Sequence, residues 1–141
     1  TPNMFGLVGS EANAIAPGKR MLSSMSPTIV TRDSKPIIIA GAAGGPRIIT
    51  ATWLAILNIL EHNMNAMEAL TFPRFHHQWY PDRLLIEKHT LDSGLRLSLR
   101  TMGHEVVESP GLARVHLLHV GEDGTIEAAA DPRGDGGTAG F

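Results

Sequence analysis

Cysteine is absent from the 141 residues, which removes disulfides, thiolate nucleophiles and cysteine-ligated zinc and leaves the redox compartment open. Long hydrophobic runs are missing too: Pro36–Ala43 and Trp53–Leu60 are the longest, and both are too short to span a bilayer. No positively charged, apolar leader opens the chain. Neither sign of charge dominates, with 12 Lys+Arg against 14 Asp+Glu and a formal net charge of −2. Electrostatics alone therefore predicts neither a nucleic-acid binder nor a binder of anionic membranes. What is present is globular in composition: 43% apolar and 18% charged residues argue against disorder, and 15 Gly and 9 Pro promise many turns. The length suits one domain with one core, spanning residues 1–141.

Both ends read as irregular. Residues 1–20 carry neither helical nor strand periodicity and are punctuated by Gly, Pro and Asn, while Asp131–Phe141 is again rich in glycine. So long an irregular start is unlike that of a complete domain and points to a piece of something larger. Between the ends, Pro27–Thr31 and Pro36–Ala40 form β-branched runs around Arg32-Asp33-Ser34-Lys35, a hairpin signature. Ile48, Ile49, Thr52, Trp53, Ile56, Leu57 and Leu60 recur every three or four residues and predict a mostly buried helix over Arg47–His62. A shorter helix over Ala66–Thr71 has Asn65 as its N-cap and ends before Pro73. Leu91, Leu95, Leu99 and Met102 define one face of a third helix, with Gly103 placed to cap it. Strands are predicted over Leu84–Glu87, Glu105–Glu108, Val115–Val120 and Thr125–Ala130, with Glu122-Asp123-Gly124 turning the last pair. Strands, then helices, then strands give a layered α+β fold rather than a doubly wound parallel sheet.

Three places could carry chemistry. In Leu22-Ser23-Ser24-Met25-Ser26-Pro27, adjacent hydroxyls with nearby backbone N–H groups suit a carboxylate or phosphate; the alternative is a turn whose serines satisfy local backbone. Gly41-Ala42-Ala43-Gly44-Gly45-Pro46-Arg47 lies between a strand and a helix, where exposed N–H groups and a helix N-terminus favour a phosphate or a developing oxyanion. The phosphate reading lacks the Lys-Ser/Thr of a P-loop, and the alternative is a plain tight turn. In Pro73–Trp79, the adjacent His76 and His77 point to opposite sides of an extended segment and chelate one metal poorly, as do His116 and His119, three apart in a strand. These histidines are read as structural, with no metal site. Thr1 could in principle be nucleophile and base at once, but Pro2 and a loop-like sequence follow where that chemistry wants a rigid strand, and it is set aside.

Four blocks together resemble one family. Pro17-Gly18-Lys19-Arg20-Met21-Leu22-Ser23-Ser24-Met25-Ser26-Pro27-Thr28-Ile29-Val30, Gly44-Gly45-Pro46-Arg47-Ile48-Ile49, Ala69–Trp79 and Asp131-Pro132-Arg133 resemble the small subunit of the gamma-glutamyltranspeptidases (glutathione hydrolases), in order and over essentially the whole chain. The resemblance implies an N-terminal-nucleophile hydrolase with an αββα sandwich. Its proenzyme cleaves itself into a large and a small subunit, and no metal or organic cofactor takes part. The new N-terminal threonine attacks gamma-glutamyl amides such as glutathione, and the gamma-glutamyl group passes to water or to an amino acid or peptide acceptor. Residue by residue, the resemblance assigns the alpha-carboxylate of the gamma-glutamyl group to Ser23 and Ser24, and the oxyanion hole to the backbone N–H groups of Gly44 and Gly45. Arg74, His76, His77 and Asp131 also match family motifs and are read as structural, through a buried Arg–Asp pair or His–backbone bonds.

The chain departs from the pattern in places. Gly41-Ala42-Ala43 stands for the usual Gly-Ser/Thr-Pro, Pro46 for Ser or Thr, and Met21 for a frequent proline. The family's nucleophilic threonine, and the acidic residue for the substrate's amino group, lie upstream of the Ser-Ser motif, where only 22 residues precede Ser23. The arginine for the carboxylate belongs to the large subunit. The expectation is therefore a C-terminal portion of a small subunit that is inactive by itself. The alternatives are a truncated homologue serving as a binding or assembly module, or, among enzymes, a cephalosporin-type acylase or polyglutamate transpeptidase. Ser23 and Ser24 favour a free alpha-carboxylate. Relatives are commonly periplasmic or extracellular.

Overall fold

The computed structural model describes residues 1–140. Residues 1–27 run as irregular chain relieved by one short 3-10 turn, Glu11–Asn13. The first strand, β1 (Thr28–Arg32), pairs antiparallel with β2 (Lys35–Ala43). The turn between them uses Asp33 and Ser34, both at positive φ (49° and 64°), which is the twist that a two-residue hairpin needs. β2 then pairs with β6 (Arg114–Val120), and β6 with β7 (Ile126–Ala130), completing an antiparallel sheet of order β1-β2-β6-β7. Strand β2 runs on through Gly41-Ala42-Ala43, so Gly44, Gly45 and the N-cap Pro46 are what remains of the predicted glycine turn outside regular structure.

Two helices cover one face of this sheet. The buried side chains Ile38, Ala40, Val115, Leu117 and Ala129 meet Ala51, Ala55 and Ile59 of α1 (Arg47–Leu60) and Ala66, Ala69 and Leu70 of α2 (Ala66–Thr71). Alanines on the helices let their axes lie close to the sheet. Asn65 and Glu68 close a reciprocal capping box at the start of α2. The predicted face of α1 needs correction: Ile48, Ala51, Thr52, Ala55, Asn58 and Ile59 are buried, whereas Ile49 and Trp53 are each 55% exposed. The opposite face of the sheet is uncovered among the described residues, with Ile29 63% exposed and Ile39, Leu118 and Ile126 also open to solvent. This helix layer on one sheet is the α+β arrangement expected from the sequence.

A second, three-stranded sheet joins β3 (Phe75–His76), β4 (Leu84–Ile86) and β5 (Val106–Glu108). β4 and β5 are parallel and are linked through α3 (Ser93–Thr101), a local crossover that the sequence reading did not anticipate. Asp92 caps α3 by accepting from the Leu95 N–H at 2.8 Å, so Leu91 falls outside the helix. None of the α3 side chains is fully buried, and Met102, predicted to share the face of this helix, lies just beyond it and is 74% exposed. No helix among the described residues is long and apolar enough to cross a membrane.

Candidate active site

In an antiparallel pair, the start of one strand and the end of its partner share one end of the sheet. The register Thr28↔Ala40 therefore sends Ser23–Ser26 and Gly44–Gly45 away from the hairpin at the same end. Ala43↔Arg114 and His116↔Ala130 bring Ala113 and Asp131 to that end as well.

At this end Gly44 and Gly45 make the passage from β2 into α1, at φ 147° and 62°. A Cβ on Gly44 would lie 2.7 Å from Ala113 Cβ and 2.8 Å from Ala113 Cα, so the chain passes the 112–114 segment at backbone distance. A Cβ on Gly45 would lie 2.9 Å from Phe5 Cε1. Among the described residues, the N–H groups of Gly44 and Gly45 donate to no protein acceptor. Pro46, at φ −64° and ψ −19°, is already helical and lends α1 no N–H and no side-chain cap. Two free N–H groups at the positive end of a 14-residue helix are suited to a developing negative oxygen. They border a recess of about 510 Å³ that Phe5, Arg47, His76, Gln78 and Arg83 also line. No hydroxyl or thiol side chain lines this recess.

The serines are more exposed. Ser23 Oγ accepts from the Met25 N–H at 3.1 Å, a local turn bond, and Ser26 Oγ donates to the Ser24 carbonyl at 3.2 Å. Ser24 is half-buried, and its hydroxyl has no partner among the described residues. Local satisfaction thus accounts for one lone pair of Ser23 and leaves both hydroxyl protons available. Thr1 lies in exposed irregular chain.

The wall behind Gly44 is held by a group of four charges, with Arg74, Glu87 and Asp131 buried and Arg133 partly exposed. Arg74 Nη1 lies 2.7 Å from Asp131 Oδ2, and neither side chain is solvent-exposed. Glu87 receives a two-pronged fork from Arg133 (Nε to Oε1 at 2.8 Å, Nη2 to Oε2 at 2.5 Å) and also accepts the N–H groups of Arg74 and Leu112. Arg133 Nη1 bonds Asp131 Oδ1 at 3.0 Å, while Asp131 Oδ2 accepts the Val115 N–H at 2.9 Å. Burial opposes ionisation of Asp131, but the N–H groups of Val115 and Arg133 together with the Arg74 charge hold its carboxyl below the usual carboxylate range. Burial lowers Arg74 from the ordinary guanidinium value. Arg133 is raised: its bonds to Glu87 and Asp131 outweigh the effect of burial.

His76, His77, His116 and His119 do not gather into one site. His76 is buried against α1, with Nδ1 2.9 Å from Thr50 Oγ1 and Nε2 3.0 Å from Gln78 Oε1, so its partners are side chains rather than the backbone. His77 is partly exposed, lies 3.0 Å from Asp82 Oδ1 and accepts the Trp79 N–H. His116 and His119 occupy opposite faces of β6. No group of three His, Cys, Asp or Glu side chains able to hold a metal exists among the described residues.

Motifs and architecture meet known proteins here. The family model described as gamma-glutamyltranspeptidase matches residues 1–141. The chain belongs to the gamma-glutamyltranspeptidase family. It is 45% identical over 141 residues to the glutathione hydrolase proenzyme of Escherichia coli (strain K12), covering 99% of this chain and 24% of that protein. It is 51% identical over 104 residues to the glutathione hydrolase proenzyme of Pseudomonas sp. (strain A14), covering 74% of this chain and 18% of that protein. The chain thus spans less than a quarter of the length of either relative. The crystal structure of a Helicobacter pylori gamma-glutamyltranspeptidase T380A mutant matches with a TM-score of 0.89 and 42% identity over 95% of this chain and 74% of that one. The fold is therefore that of a gamma-glutamyltranspeptidase.

Sequence reasoning found the glycine pair and missed what it rests on. Phe5 and Ala113 are far away in the chain, and only the fold brings them to Gly45 and Gly44. Gln78 lay inside a quoted motif without a role. Glu87 carried no signal beyond being a charged residue at the end of a predicted strand.

Proposed function

We propose that this chain is a C-terminal portion of the small subunit of a gamma-glutamyl transferase and hydrolase acting on glutathione and other gamma-glutamyl amides. In this reading Gly44 and Gly45 present their N–H groups to the oxyanion of a tetrahedral intermediate, and Ser23 and Ser24 take the alpha-carboxylate of the gamma-glutamyl group. The nucleophilic threonine and the large subunit come from outside these residues. The observation that carries the reading is the Gly44–Gly45 turn: two unpartnered N–H groups at a helix N-terminus, beside a recess whose lining offers no nucleophile of its own. The uncovered sheet face around Ile29 supports the expectation of a partner layer.

Such a site works by division of labour. An attacking hydroxyl adds to the amide carbonyl, whose oxygen gains negative charge and receives hydrogen bonds donated by the two N–H groups; the hydroxyl's proton passes to the amine, which leaves as the gamma-glutamyl ester forms. Water or an acceptor amine then resolves the ester by the same route. Binding the alpha-carboxylate at a distance from the scissile bond fixes the substrate's length and register.

The test is release of chromophore from a gamma-glutamyl anilide. This chain alone is expected to release none, and the chain produced together with the upstream threonine segment and the large subunit is expected to turn over. Ser23→Ala and Ser24→Ala should then raise KM. An assembled, correctly processed protein that releases no chromophore would overturn the enzymatic reading in favour of a binding module.

A further inference from the structure

Phe5 sits on the glycine turn, and a chain of side-chain hydrogen bonds ties it there. Gln78 Nε2 donates to the carbonyls of Phe5 and Tyr80, both at 3.0 Å. With two carbonyls on its nitrogen side, the amide is fixed in orientation, and its Oε1 faces His76 Nε2 at 3.0 Å. That nitrogen must carry the proton, which leaves Nδ1 to accept from the Thr50 hydroxyl at 2.9 Å. The amide is thus fixed from α1 through His76. Asn3 shapes the other side: its Oδ1 accepts the N–H groups of Phe5 and Leu7, and its carbonyl accepts from Gly6. Gly6 packs on Pro81 so closely that a Cβ there would lie 2.8 Å from Pro81 Cδ. Burial keeps the His76 imidazole below its ordinary range, consistent with the neutral form that this bonding requires.

We propose that Gln78, oriented by His76, is a positioning residue that holds the Phe5 ring against Gly45 and so walls the recess in which the gamma-glutamyl donor reacts. The proposal rests on reading Gly44–Gly45 as the oxyanion-binding turn. Gln78 touches no reacting atom; it acts through Phe5.

The test uses the enzyme assembled with its large subunit. Gln78→Leu removes both donors. Gln78→Glu keeps the shape and the partner for His76 but turns an oxygen toward the Phe5 and Tyr80 carbonyls, so a residue that merely filled space would tolerate it. Both variants are expected to raise donor KM about tenfold, the upper end of the worth of one hydrogen bond, with kcat within about twofold. Phe5→Ala should do the same, and Gln78→Leu added to Phe5→Ala should do no further harm, because the two act as one unit. Chymotryptic cleavage after Phe5 should speed up about tenfold in both Gln78 variants. KM and cleavage rates equal to wild type in either Gln78 variant, or additive losses in the double variant, would overturn the proposal. If the wild-type enzyme turns over no gamma-glutamyl anilide, the functional reading fails while the cleavage rates still report on the anchor.

Discussion

Gly44→Ala is the perturbation that asks most of the proposed site. The added methyl would arrive 2.7 Å from Ala113 Cβ and 2.8 Å from Ala113 Cα, against a comfortable carbon–carbon separation of about 3.5–4.0 Å. One of the two backbones must therefore move by about 1 Å. The residue also sits at φ 147°, where an L side chain is strained by about 1–3 kcal/mol. Retreat of Ala113 is resisted, because Arg74 Nη1 holds the carbonyls of Leu112 and Ala113. The shift is thus expected to fall on the Gly44–Gly45 N–H groups. Misplacing such donors by about 1 Å costs on the order of a hundredfold in rate. In the anilide assay with assembled enzyme, kcat should fall about a hundredfold with KM changed by no more than about threefold, since the loss is confined to the transition state. Ala113→Gly in the same background removes one of the two clashing carbons and relieves a residue at φ 66°, so it should restore part of kcat. A Gly44→Ala enzyme within about threefold of wild-type kcat would refute the assignment of the oxyanion to this turn.

Other consequences are more local. Asp131→Asn leaves the buried Arg74 without its anion, while Arg133 keeps Glu87, and should cost about 3–5 kcal/mol, read as a lower urea midpoint. Because the Asp131 carboxyl is held below its ordinary value, its stabilisation is present above about pH 4 and is lost as pH falls through the lowered folded-state value; the acid limb of a stability–pH curve should flatten in the variant. Thr52 Oγ1 is buried with no hydrogen-bond partner, so the isosteric Thr52→Val should gain about 1 kcal/mol in the same urea titration. Ile29→Asp, on the open sheet face, should abolish co-purification with the large subunit; unchanged co-purification would show that the partner layer lies elsewhere.

What the sequence revealed follows from how far each signal travels along the chain. The β1–β2 hairpin and the Asn65 cap are decided within a few residues, and both were legible. The facing of α1 was not: with Ile49, Trp53, Ile56 and Leu60 on one side and Ile48 and Ile59 among alanines on the other, the helix is apolar nearly all round. Periodicity cannot choose a buried face without polar contrast. The sheet chose the alanine side, because small side chains let α1 approach Ile38 and Val115. The stripe Leu95, Leu99 and Met102 has that contrast and yet is only partly covered: α3 rests on β5, Leu99 is half-buried, and Leu95 and Met102 stay exposed. β3 consists of two residues, paired with β4 and packed on α1 through His76, and is too short for any pattern. At the site, the glycine pair announced itself by composition, while Phe5 and Ala113 depend on contacts that cross much of the chain.

The buried charges and the glycine turn belong to one construction. Arg74 follows α2, Glu87 follows β4, and Asp131 and Arg133 follow β7, so the cluster gathers the ends of three elements that hydrophobic packing alone leaves free to slide. Such a cluster is a poor source of net stability, since desolvation consumes most of the Coulombic gain. Its value lies in geometry. The Leu112 N–H is held by Glu87, the Leu112 and Ala113 carbonyls by Arg74, and the Val115 N–H by Asp131, so nearly every polar backbone group around Ala113 has a charged partner. This fixes a positive-φ alanine within van der Waals reach of Gly44 and denies the turn any other path from β2 into α1. Apolar residues of similar volume could fill the same space but could not hold four backbone groups in register. In the proposed function, the cost of desolvating these charges is offset by the placement of the Gly44 and Gly45 N–H groups, because oxyanion donors act only at hydrogen-bond distance from the developing charge.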